Sequence, residues 1–195
     1  GKFTCRGTPI INANVVLSVE GGIASLPKVI RTNNKGAFRI PVASLYGQDN
    51  VTMNLRHDLK NVGGAYWLGD LSKTRGGTMR VRAPEQPTMK IKVSGVPSNY
   101  QDQIYESLKA FATRKWGAIV TKKGKSQLKG TVRVDLGNIQ ETGGHYAQSV
   151  SLLLTVQSKG STLFEQRLRK GALGDSRQNA TEKSLNNLMQ AMGRW

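Results

Sequence analysis

The sequence predicts two domains: an all-β, seven-stranded sandwich followed by an α+β domain of βαβββα order with a mostly antiparallel sheet. Three observations lead there. Over residues 2–83 short β-rich runs alternate with turn residues, and no helical period interrupts them. Pro84 and Pro87 then break the pattern, because neither can donate to a strand ladder and both restrict the residue before them. Beyond them, two helical stripes bracket a series of alternating strands. The boundaries expected are a sandwich at 1–83, a linker at 84–88 and the α+β domain at 89–195.

In the first domain the expected strands are Phe3–Cys5, Asn14–Val19, Val29–Thr32, Ala37–Val42, Val51–Arg56, Ala65–Leu68 and Met79–Arg82. Gly7, Gly21-Gly22, Asn33 to Gly36, Gly47, Gly63-Gly64 and Gly76-Gly77 punctuate them. Asn33 to Gly36 is expected to supply the positive φ angles of a hairpin turn, with Phe38 and Ile40 on one face and Arg39 on the other. In the second domain Met89–Val93 alternates as a strand. Pro97-Ser98-Asn99 opens a helix in which Ser98 and Gln101 stand at capping-box spacing. Ile104, Leu108 and Phe111 form its apolar stripe, and Trp116-Gly117 closes it. A short strand at Ala118–Thr121 and three longer ones at Gly130–Leu136, Ser149–Gln157 and Leu163–Arg169 follow, the last two joined by a Ser158-Lys159-Gly160 turn. Asp175 or Ser176 caps the closing helix, whose Leu185, Leu188, Met189 and Met192 recur at i, i+3, i+4 and i+7.

The chain has 195 residues, with 29 Lys and Arg against 12 Asp and Glu, a net charge of +17. That excess favours a polyanionic partner: nucleic acid, anionic lipid or glycan. It is not a basic tail, since residues 1–87 hold 12 basic and 5 acidic side chains and residues 88–195 hold 17 and 7. No apolar stretch approaches the ~20 residues of a membrane-spanning helix. Lys2 to Cys5 already reads as strand, so a mature or trimmed fragment is expected. The one cysteine, Cys5, cannot form an internal disulfide or a thiolate-rich zinc site.

His57 and His145 fall in separate domains with no further ligand at metal spacing, and the acidic residues are scattered singly, so neither a metal centre nor a paired-carboxylate site is expected. Gly124-Lys125-Ser126 ends like a phosphate-binding loop, but Ile119 stands where that loop needs glycine. Ser25 to Lys28 and Ser126 to Lys129 match a Ser-x-x-Lys string without the helix start that the chemistry needs. The densest basic cluster is Lys122, Lys123, Lys125 and Lys129. These are the residues expected to contact a polyanion or partner, with Arg167, Arg169 and Lys170 near them across the meander.

The run Gly7-Thr8-Pro9-Ile10-Ile11-Asn12-Ala13-Asn14-Val15, followed by Thr32-Asn33-Asn34-Lys35-Gly36-Ala37-Phe38-Arg39-Ile40, resembles carboxypeptidase-regulatory-like, transthyretin-type domains. The resemblance implies a prealbumin-like sandwich with no catalytic residues, used as a spacer or binding module. Gln127 to Val134, the Ser149–Val156 strand, the Ser158-Lys159-Gly160 turn, and Ala180, Leu185 and Leu188 of the last helix resemble the α/β domain of bacterial envelope assembly lipoproteins. That group includes the curli-secretion channel protein, penicillin-binding-protein activators and flagellar-assembly periplasmic proteins. Where the family often has small residues in the last helix, this chain has Asn186-Asn187.

Together these readings give a non-enzymatic scaffold or assembly factor of the cell envelope, periplasmic or outer-membrane-associated. Its expected partners are envelope proteins of an assembly or secretion machine and an anionic polymer or lipid surface, with oligomers compatible. No cofactor, metal or small-molecule substrate is expected. The alternative is a cytoplasmic nucleic-acid-binding protein using its charge.

Overall fold

The structure, a computed structural model, describes residues 1–5, 7–27, 29–58, 77–83 and 85–193. It divides into two compact units, Gly1–Glu85 and Gln86–Trp195.

The first unit contains β1 (Thr4–Cys5), β2 (Thr8–Pro9), β3 (Asn14–Ala24), β4 (Ile30–Arg31), β5 (Leu45–Asp58) and β6 (Gly77–Arg82). β1 pairs with β2, and the rest form an antiparallel sheet in the order β4-β3-β5-β6. The glycines expected to end strands at 21–22 and 47 lie inside β3 and β5 instead. Gly21 takes φ 73° at an irregularity in the ladder. Gly22 and Gly47 face each other across the ladder, and a Cβ on either would run into the side chain of Val51, which is wholly buried. The missing side chains make room for the core.

Asn33 to Gly36 forms a turn, but of the positive φ angles expected there only that of Gly36 occurs. The Asn33 side-chain oxygen accepts from the backbone N–H of Lys35 and Ala37, and Gly36 takes φ 68°. The run after it is not the expected strand at Ala37–Val42. Ala37 makes one bridge to Lys2 and Phe38 N–H donates to the Gly1 carbonyl. Pro41 then offers no donor with which the ladder could continue. The expected strand at Ala65–Leu68 lies outside the described residues.

The second unit contains β7 (Thr88–Ser94), α1 (Ser98–Trp116), β8 (Ile119–Val120), β9 (Leu128–Leu136), β10 (Gln140–Thr142), β11 (His145–Ser158), β12 (Ser161–Gly174) and α2 (Arg177–Met192). Its sheet runs β12-β11-β9-β7-β8, with β10 pairing the start of β11 beyond the end of β9. The β7 pairings with β8 and β9 are parallel and the others antiparallel. β11 and β12 form a long hairpin closed by Lys159 and Gly160 at φ 48° and 81°, the two positive angles a two-residue turn requires.

Helices cover one face of this sheet. Val150, Leu152, Leu154 and Val156 of β11 and Leu128, Val132 and Val134 of β9 are buried there, with Ile104, Leu108, Phe111 and Trp116 of α1 and Ala180, Leu185, Leu188 and Met192 of α2. Trp116 stands edge-on to Phe111 and to Phe164 of β12, at 5.0 and 5.2 Å between ring centres. Ser176 caps α2 by accepting from Asn179 N–H. The expected capping box of α1 does not form: Pro97 occupies the cap position, Ser98 is already helical, and Gln101 donates to the Val96 carbonyl. No described helix is long and apolar enough to cross a membrane.

Candidate anion-binding face

Period-two alternation sends the buried residues of β7, β9 and β11 and the half-buried Phe164, Gln166 and Leu168 of β12 toward the helices, and their neighbours to the opposite face. Strand register then fixes which side chains share a row on that opposite face. One row is Lys90, Lys129 and Gln157; the next is Lys92, Thr131, Thr155 and Glu165. A third row is Ser94, Arg133, Leu153 and Arg167, and a fourth is Asp135, Ser151 and Arg169. Six cations therefore share one face with two carboxylates. Lys92, Lys129, Arg133, Arg167 and Arg169 are exposed and Lys90 is half-buried.

Lys90 and Lys129 are register partners, an arrangement of like charges that costs stability until an anion neutralises it. Among the described residues neither Arg133 nor Arg167 has a carboxylate within ion-pair distance, and Arg169 donates to Ser149 Oγ at 3.4 Å. A guanidinium presents a planar fork suited to phosphate or carboxylate. Between Asp135, Ser149, Ser151, Arg167 and Arg169 opens a hollow of about 420 Å³.

The structure spreads the sequence-predicted residues over three places. Lys122, Lys123 and Lys125 lie in the loop after β8, at one edge of the sheet, and Lys122 Nζ sits 5.1 Å from the centre of the Tyr105 ring. Lys129 lies on the charged face of β9. Arg167 and Arg169 share that face from β12, the opposite edge. With β11, β9 and β7 between β12 and β8, roughly 19 Å of sheet separates the two groups at ~4.8 Å per strand. Lys170 alternates to the helix-covered side as the register partner of buried Val150, so it does not join Arg167 and Arg169. The expectation that all seven cluster across the meander is corrected accordingly. Lys90, Lys92 and Arg133 were missed. The signal available was the Lys-x-Lys spacing of Lys90 and Lys92, which places two cations on one side of a strand.

Elsewhere, His145 Nδ1 lies 3.4 Å from Asp175 Oδ1, both well exposed. Burial raises the Tyr100 phenol above its ordinary value, and the charge of Glu182 adds to the effect. Among the described residues no three His, Cys, Asp or Glu side chains gather where they could hold a metal ion.

No family model matches the sequence, and no curated protein matches it. Solved structures similar to it include bacterial lipoproteins. A minor lipoprotein from Acinetobacter baumannii is 10% identical with a TM-score of 0.39, over 55% of this chain and 87% of that one. A lipoprotein from Neisseria meningitidis is 8% identical with a TM-score of 0.38, over 55% and 95%. Rare lipoprotein B from Shewanella oneidensis is 8% identical with a TM-score of 0.32, over 55% and 86%.

Proposed function

We propose that the second unit is a non-enzymatic binding module that engages an anionic polymer or surface of the bacterial envelope through the exposed face of its sheet. The observation that carries this is the six cations in register on that face, three of them guanidiniums without a carboxylate partner among the described residues. The envelope location rests on the resemblance of residues 127–134, 149–156 and the last helix to envelope assembly proteins. The first unit, in this reading, is a transthyretin-type spacer with no chemistry of its own. Lys122, Lys123 and Lys125 make a secondary contact at the far edge.

The test is titration of the full chain with lipopolysaccharide and with a DNA duplex of about 20 base pairs, in competition, at ~0.15 M salt. Lipopolysaccharide is expected to displace the duplex. Replacing Arg133, Arg167 and Arg169 with Gln is expected to weaken binding at least about tenfold, roughly 1.4 kcal/mol, and more than the same change at Lys122, Lys123 and Lys125. A duplex that outcompetes lipopolysaccharide by orders of magnitude would return the chain to nucleic-acid binding.

A further inference from the structure

We propose that the outer edge of β12 receives an extended acidic segment of a partner protein as an added strand. β12 runs for 14 residues, against a usual five or six or so, and among the described residues it pairs only with β11. Its helix-side residues Phe164, Gln166 and Leu168 are only half-buried, whereas their register partners Val156, Leu154 and Leu152 are buried. An uncovered edge of this length presents a row of backbone donors and acceptors that fits another strand. At its C-terminal end the Gly171 carbonyl accepts from Asn187 Nδ2, so α2 occupies that end and residues 162–169 are the open stretch.

Charge selects the occupant. Glu165, Arg167 and Arg169 alternate on the face away from the helices. A second copy of β12 offers one carboxylate, Glu165. Paired antiparallel about Leu168 it would set Arg167 against Arg169, and about Gln166 it would meet Arg167 but leave Arg169 against Leu163, whereas an acidic strand meets both arginines. A strand with two carboxylates at i and i+2 and a cation at i+4, laid antiparallel, meets Arg169, Arg167 and Glu165 in turn. Backbone pairing gives affinity and the alternating charges give direction and register. The proposal shares Arg167 and Arg169 with the polyanion reading but adds a requirement that reading lacks, the partner's backbone N–H groups.

The experiment titrates the capped peptide TVEVEVKVT into the full chain and follows amide hydrogen exchange. Binding is expected to slow exchange in residues 162–169 by about tenfold or more. N-methylation at alternate peptide nitrogens should abolish binding. The exposed double variant R167E/R169E, which leaves the core untouched, should lose TVEVEVKVT by about tenfold or more and gain TVKVKVKVT, whose third lysine still meets Glu165. Equal binding of the N-methylated peptide, or protection confined to another strand, overturns strand addition. Lipopolysaccharide binding with no peptide binding overturns this inference alone, and peptide binding without lipopolysaccharide binding overturns the polyanion reading alone.

Discussion

Gly95, where β7 leaves the sheet toward α1, sits at φ 86°, and a Cβ there would collide with the carbonyl oxygen of Val134. Both demands fall on backbone, which cannot step aside as a flexible side chain can. Gly95→Ala is expected to destabilise the second unit by about 1–3 kcal/mol, seen as a lower urea midpoint at unchanged slope. Nothing in the sequence distinguishes this glycine from the others, because the oxygen that excludes a side chain arrives from β9. Asn33 is the opposite case. Its side chain bonds the backbone two and four residues on, so its turn was legible from five consecutive residues. Lys159 and Gly160 were legible for the same reason.

The two helices differ in how their first turns are satisfied. The Ser176 side chain accepts from Asn179 N–H, so Ser176→Ala is expected to cost about 1 kcal/mol of stability in urea unfolding. Ser98 makes no capping bond, so Ser98→Ala should fall within about 0.5 kcal/mol of the parent. Equal losses at both positions would contradict this assignment. Helix positions and the long strands of the second unit followed from apolar periodicity, since the buried residues of α1, α2, β9 and β11 are those at helical or alternate spacing. The first unit was harder to read. Glycines at 22 and 47 looked like strand ends because a one-dimensional pattern does not show Val51 filling the space above them, and Gly21 because it does not show the ladder irregularity that its positive φ accommodates. Pro41 ended a run that alternation alone would have continued.

Across the whole molecule, the net charge of +17 announced a polyanionic partner but not where it binds. The face exists only once register is known: Lys90 and Lys129 become neighbours through a parallel pairing, and Arg133 and Arg167 through the two pairings of β11. Proximity in sequence favoured the loop lysines instead, and it drew in Lys170, which alternation sends to the other side. The central claim is best tested by footprinting, with arginines modified by phenylglyoxal and lysines by acetylation, in the presence and absence of lipopolysaccharide, and the sites read by mass spectrometry. Joint protection of Lys90, Lys92, Lys129, Arg133, Arg167 and Arg169 is expected while Lys170 stays reactive. Protection confined to Lys122, Lys123 and Lys125, with Arg133, Arg167 and Arg169 modified as freely as in the unbound chain, would contradict it.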